Sequence, residues 1–172
     1  MSDALARIRA ILETTPLRWS QLAATVDAEL LAERPAAGEW SALECLEHLL
    51  DTERLVFPVR LAALRDGRDI PAFDPGTQGT QGAASRQPAE LAASFAELRA
   101  ANLAALATVN EAMFANQGIH SELGPVTLGQ LLHEWATHDL DHTIQAERAL
   151  IQPFLRGCGP WHIYFTANRI EA

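Results

Sequence analysis

The sequence predicts an all-α protein built as a bundle of long helices, and three observations support this. Alanine and leucine, which favour helices, dominate the apolar residues. Several segments repeat apolar residues with the period of an amphipathic helix, whereas none alternates convincingly with the period of a strand. The chain has 172 residues, enough for one sizeable core. We therefore expect residues 1–172 to form a single bundle domain, with the tail at 153–172 packed on it and partly extended.

Prolines and capping residues predict where the helices begin and end. Ser41–Glu44 and Thr127–Gln130 have the pattern of capping boxes, which pair the first backbone N–H groups of a helix. Pro16 and Pro88 each start a helix, because the first turn leaves the proline nitrogen unpaired in any case. Pro58 should kink the helix that begins at Ser41. The predicted helices span 3–13, 16–26, 41–64, 88–109 and 128–150, with a helical turn at 27–34.

The segment from Asp66 to Gln87 is too rich in glycine, proline and glutamine to be regular. A loop of this length is typical of a functional lid or a mobile connection. It allows a crossover between parallel helices, so we expect the up-and-down order of the bundle to break there. Apolar residues form one stripe along the helix that follows it, at positions 91, 95, 98, 103 and 106.

The charge and the apolar segments exclude several classes of partner. The chain carries 13 basic against 22 acidic residues, a formal charge of −9, which is unsuited to a nucleic-acid backbone. No segment has the apolar core of a signal peptide or the length of a membrane span, so we expect a cytoplasmic protein. Cys45 and Cys158 form no disulfide framework.

Three histidines lie in the predicted last helix, within the segment HEWATHDLDH. At about 100° per residue, His138 and His142 project about 40° apart on one face, one turn above the other, and can share an ion. His133 lies about 140° away and cannot join them. A metalloprotease H-E-x-x-H motif would need a histidine at Thr137, and the two Glu-x-x-His pairs of a di-iron bundle are missing.

Two histidines make an incomplete site, and His48 is the candidate third ligand. It shares a helix face with small or apolar residues, namely Ser41, Cys45, Thr52, Leu55 and Val59. A histidine on such a face is hydrogen-bonded, protonated at some cost, or bound to something. Imidazoles from His48, His138 and His142 would leave open coordination positions for water and substrate. The alternative, unrelated core or surface histidines, stays open at this point.

Acidic residues accompany the three histidines. Glu44 and Asp51 lie one turn either side of His48, while Glu134 and Asp141 flank His138. Any of them could orient an imidazole or serve as acid or base next to the ion. The alternative is that these four acids are solvated residues on helix surfaces and have no role beside the ion.

Two segments together resemble the DinB-like (DinB/YfiT-like) family of metalloenzymes. They are EWSALECLEHLLDTE and PVTLGQLLHEWATHDLDHTIQ, and the tail QPFLRGCGPWHIYF is similar to that of one subgroup. The resemblance covers about Leu12 to Phe165. It implies a four-helix bundle in up-down-down-up order, with metal ligands at His48, His138 and His142. It also implies a divalent ion, zinc or nickel first and iron next, and often a homodimer.

The same resemblance implies a metal-dependent thiol S-transferase or isomerase, in which the ion activates a low-molecular-weight thiol or water. Two alternatives are a non-catalytic metal-binding stress-response module and a metal-dependent hydrolase. An enzyme needs an open position beside the ion, whereas a structural site is closed by four protein ligands. The substrate would be a small molecule.

Overall fold

Helices account for most of the residues that the computed structural model describes, which are 4–71 and 87–170. In chain order they are α1 (Ala4–Thr25), α2 (Ala28–Ala32), α3 (Ala42–Leu55), α4 (Phe57–Arg65), α5 (Pro88–Leu106) and α6 (Leu128–Gly157). Strands β1 (Gln117–His120) and β2 (Gly124–Thr127) form a hairpin, and 3-10 turns cover Glu111–Ala115, Gly159–Tyr164 and Thr166–Asn168. None of the helices in the described ranges is long and apolar enough to cross a bilayer.

The bundle consists of α1, α3, α5 and α6, in which α1 and α3 each pack against both α5 and α6. Two core clusters show the helix directions. The first contains Ile8, Leu61, Leu106 and Leu132. The second contains Trp19, Leu46, Leu91 and Ala146. Helices α1 and α6 therefore run from the first cluster to the second, whereas α5, and α3 with its continuation α4, run the opposite way, which confirms the up-down-down-up four-helix bundle.

The parallel direction of α3 and α5 agrees with a crossover between them, as the long segment after Asp66 suggested. Most of that segment, residues 72–86, lies outside the described residues, and so does the predicted lid or mobile connection that it would form.

Helix α1 is continuous through Pro16, so the prediction of two helices divided there is wrong. Proline has no N–H to bond the carbonyl of Leu12, four residues earlier. The side chain of Arg99 takes that carbonyl instead, because its Nη1 donates to the Leu12 oxygen at 2.8 Å. A side chain from another helix thus replaces the missing backbone hydrogen bond, which the local sequence does not reveal.

The remaining helix boundaries agree with those predicted from capping residues and prolines, except at the ends of α5 and α6. Helix α5 ends at Leu106 and not at 109. Both capping boxes are present, at Ser41–Glu44 and Thr127–Gln130. The chain breaks between α3 and α4 at Val56, two residues before Pro58, where a kink was predicted. Helix α6, however, continues through Pro153 to Gly157 and not to about 150. The tail crosses it there, since Gln152 Nε2 donates to the Asn168 carbonyl at 2.8 Å.

The β1–β2 hairpin was not predicted, and the tail is 3-10 helical where an extended piece was expected. Each strand has only four residues, too few for an alternating pattern to be recognised. Contacts with the end of α4 hold the hairpin: the Ile70 N–H donates to the Ile119 carbonyl at 3.0 Å, and Asn116 Nδ2 donates to the Arg65 carbonyl at 2.7 Å. Tertiary contacts therefore stabilise it.

Candidate metal centre

Helices α3 and α6 bring three histidines together. Their antiparallel packing places His48 opposite the turn of α6 that carries His138 and His142, and one ligand nitrogen from each lies within 4.8 Å of the others. The Nε2 atoms of His48 and His138 are 3.0 Å apart. The ring centroids are 4.5–5.0 Å apart. The geometry thus groups the residues selected from helical spacing.

The packing around His138 shows how the bundle positions its ring. Phe57 stacks on Trp135 with ring centroids 4.7 Å apart, and the rings of Phe57 and His138 pack edge to face with centroids 5.3 Å apart. His138 Nδ1 is buried and has no hydrogen-bond partner among the described residues. On the Nδ1 side, aromatic packing and not a hydrogen bond therefore holds this ring, while its Nε2 faces His48.

The electrostatic environment keeps two of the imidazoles neutral. Burial, reinforced by the charge of His142, lowers the pKa of His48 to about 4. The same two causes, joined by repulsion from His48 and Arg99, lower the pKa of His138 to about 3. Neutral imidazoles keep a lone pair for a cation, so both rings are suited to be ligands at neutral pH.

The donor set fits a divalent metal ion. Imidazole nitrogens bind zinc at about 2.0–2.1 Å, which places two ligand nitrogens about 2.8–3.4 Å apart at octahedral or tetrahedral angles. The 3.0 Å between the Nε2 atoms of His48 and His138 lies within that range. No other imidazole, thiol or carboxylate from residues 4–71 and 87–170 joins the group. Three protein ligands would leave a coordination position open.

The three acids proposed for acid–base roles lie in different surroundings, and none belongs to the cluster. Glu44 accepts the Ser41 N–H in the capping box and pairs with Arg34. Burial opposes its ionisation, but the hydrogen bonds from Arg34 and Ser41 outweigh it and lower the pKa of Glu44. Asp51 is buried on α3, one turn beyond His48, and Asp141 is exposed beside His142.

Two neighbouring residues stay outside the cluster. His133 is exposed, which agrees with the expectation that it cannot join the other two histidines of α6. Cys45 lies one turn before His48 and is fully buried. Burial, together with the charges of Glu44 and Asp141, raises the pKa of the Cys45 thiol to about 12, so it stays protonated. Both cysteines are free.

Trp40 and Gln145 contact the cluster, and the sequence analysis missed both. The Trp40 ring stacks on His142 at 5.7 Å and tilts against His48 at 5.2 Å. His142 Nδ1–H donates to Gln145 Oε1 at 2.9 Å. Gln145 follows His142 by three positions, which is the spacing of neighbours on a helix surface, and this signal could have found it.

A buried ionic network lies close to His138, and it was also missed. Arg99 binds both carboxylate oxygens of Glu53 at 2.8 and 2.9 Å and both of Asp139 at 2.6 and 2.9 Å. Asn102 and Trp135 also donate to Glu53. Arg99 and Asn102 lie on the apolar stripe of α5, and polar residues on such a stripe were the available signal.

The fold and the cluster define a helical-bundle protein with a candidate three-histidine metal centre. The family model of the DinB superfamily matches residues 11–146, and the chain belongs to this superfamily. No curated protein sequence matches the chain significantly.

Two solved structures from Bacillus subtilis are similar to this fold. YfiT, described as a probable metal-dependent hydrolase with an unusual four-helix bundle topology, has a TM-score of 0.73 and 18% identity, over 87% of each chain. The DinB-like protein YjoA has a TM-score of 0.56 and 19% identity, over 84% of this chain and 90% of its own. At these identities the similarity shows the fold.

Proposed function

We propose that this protein is a divalent-metal-dependent enzyme in which His48, His138 and His142 hold the ion, zinc or nickel first and iron next. The observation that carries the proposal is the donor set: three imidazole nitrogens within 4.8 Å, with no fourth ligand among the described residues. A structural zinc site has four protein ligands, whereas a catalytic site keeps a position for water or substrate. The three-histidine set is therefore of the catalytic kind.

A divalent ion held in this way lowers the pKa of a bound water or thiol and so supplies a nucleophile at neutral pH. The protein's own part is to keep His48 and His138 neutral by burial, so that protons do not compete for their nitrogens. The proton released from the nucleophile needs an acceptor. We propose Glu44, Asp51 or Asp141, of which Glu44 already accepts hydrogen bonds from Arg34 and Ser41.

The nucleophile decides between two reactions on a small-molecule substrate. Water would make the protein a hydrolase, which is how YfiT is described. A low-molecular-weight thiol would make it an S-transferase or isomerase, as the resemblance of the two histidine segments implies. Both reactions use the same three imidazoles, so one experiment with two arms can separate them.

The test uses protein loaded with zinc or nickel. One arm supplies activated esters and amides, and the other supplies a small thiol with an aromatic electrophile. We expect turnover in one arm that is lost in His48→Ala and His138→Ala and kept in His133→Ala, a matched histidine outside the cluster. If the metal-loaded protein shows no turnover in either arm, this would contradict the enzyme proposal and favour a non-catalytic metal-binding module.

A further inference from the structure

Two side chains outside the cluster contact His142 on different sides. Gln145 accepts the Nδ1–H at the ring edge, 2.9 Å away. Trp40 covers a ring face, with the planes only 14° apart. His138 differs, because its Nδ1 has no hydrogen-bond partner among residues 4–71 and 87–170. The His142 ring, unlike that of His138, is therefore held by a hydrogen bond at Nδ1 and by an aromatic ring on one face.

The hydrogen bond to Gln145 determines which nitrogen of His142 carries the proton. A neutral imidazole has one N–H and one lone pair, and either nitrogen can hold either. An amide oxygen only accepts, so Gln145 Oε1 favours the proton on Nδ1 and leaves the lone pair on Nε2. This is the tautomer that a ligand needs if it binds through Nε2.

The indole of Trp40 restricts how the His142 ring can turn. Trp40 directly precedes Ser41, whose side chain and backbone are fixed in the capping box of α3. The indole reaches across to α6, where it stacks on His142 and tilts against His48. Trp40 is 37% exposed, so one part of it faces the cluster and the rest faces solvent.

We propose that Gln145 and Trp40 are positioning residues that hold His142 as a metal ligand, with its Nε2 lone pair directed at the cluster. Gln145 fixes the tautomer, and Trp40 fixes the ring plane. This inference rests on the proposed function, because it assumes that the three histidines bind an ion. Groups that orient metal ligands in this way typically contribute about 10–100-fold to metal affinity.

The test is a titration of metal-free protein with Co²⁺, followed by visible absorption, and with Zn²⁺ in competition with a chelator. Gln145→Leu and Trp40→Leu should each bind both ions about 10–100-fold more weakly than the wild type. Gln145→Glu keeps an acceptor and Trp40→Phe keeps an aromatic ring, so both should retain most of the affinity. Gln21→Leu on the exposed side of α1 and Trp161→Leu in the tail serve as matched controls and should bind normally.

A second readout needs no metal and separates positioning from general stability. The ¹⁵N chemical shifts of His142 in the metal-free wild type should show the proton on Nδ1, and Gln145→Leu should move it toward Nε2 while the circular dichroism melt stays unchanged. If the wild type binds Co²⁺ and both leucine variants bind it equally well, the inference is overturned and the metal site stands. A wild type that binds neither ion would overturn both.

Discussion

Arg99 connects three helices through a single side chain. Its five N–H donors all have acceptors, on Glu53, on Asp139 and on the Leu12 carbonyl. Burial opposes the charge, but the hydrogen bonds to both carboxylates outweigh it and raise the pKa of Arg99. The guanidinium also lies 4.9 Å from the Phe95 ring centre. A fully paired charge of this kind is tolerated in a core only as long as every partner remains.

The first prediction concerns the removal of that charge. Arg99→Met leaves Glu53 and Asp139 buried without a counter-charge, and their side chains are 0% exposed. We expect the free energy of unfolding to fall by about 3–5 kcal/mol in urea titrations. Arg9→Met is the matched control, because its partly exposed pair with Glu13 should contribute at most about 1 kcal/mol. A cost for Arg99→Met no larger than that of the control would contradict the role assigned to the network.

The second prediction concerns the pH dependence of the metal-free protein. The folded pKa values of His48 and His138, about 4 and about 3, lie below the ordinary value of 6.5. As the pH falls below 6.5, the unfolded chain therefore takes up protons first and is favoured. This stability is fully present above pH 6.5 and is lost as the pH falls toward about 4 for His48 and about 3 for His138, with a slope of about 1.4 kcal/mol per pH unit for each histidine.

Urea titrations between pH 6.5 and pH 5 measure this slope before most carboxylates become protonated. A double variant, His48→Gln with His138→Gln, should lose most of the dependence. An equal slope in the double variant would show that other groups cause it.

At the level of single residues, the sequence could predict only those site residues that helical spacing relates to one another. His138 and His142 were recognisable because helical periodicity alone places them on one face. The partners of Arg99 come from α1, α3 and α6, far away in the sequence, so only its place on an apolar stripe could have indicated burial. Trp40 precedes its helix, and no periodicity relates it to the histidines.

For helices and strands, too, prediction succeeded where local sequence determines the structure and failed where contacts with other segments do. The helices of the bundle were predicted where apolar period and capping agree, as at Ser41–Glu44 and Thr127–Gln130. They were mispredicted where a proline lies inside a helix, at Pro16 and Pro153. At Pro16 the compensating hydrogen bond comes from Arg99 on another helix, which the local sequence does not indicate. The β1–β2 hairpin depends on α4 in the same way, through the backbone of Arg65 and Ile70.

The third prediction tests that dependence at Gly118 in β1. A Cβ at this position would lie 2.2 Å from the backbone oxygen of Arg68, far closer than atoms can approach, so the hairpin would have to move away from the end of α4. Gly118→Ala should lower the free energy of unfolding by about 2–3 kcal/mol, measured by urea denaturation. Gly157→Ala is the control, because a methyl group added there would meet nothing within 4 Å beyond its chain neighbours and the nearby backbone of its own helix, and the backbone is unstrained. If Gly118→Ala matched the control, the packing of the hairpin on α4 would be refuted.

For the whole molecule, the sequence indicated the helical class and the crossover, and the resemblance implied the up-down-down-up order that the core clusters confirm. The domain extent of 1–172 and the homodimer stay predictions. The order matters for function, because it packs α3 antiparallel to α6 and so places His48 opposite His138 and His142. A simple up-and-down order would change which helices face each other, and the cluster therefore depends on the topology of the bundle.

The central claim is that these three histidines form a divalent metal site, and the most direct test is metal content per chain. Untagged protein, purified without chelator and then supplied with zinc, nickel or iron, is compared with His142→Ala and with His133→Ala as the matched control. The account predicts about one ion per chain in the wild type and in His133→Ala, and none in His142→Ala. Equal metal content in all three proteins, or no metal in the wild type, would contradict it.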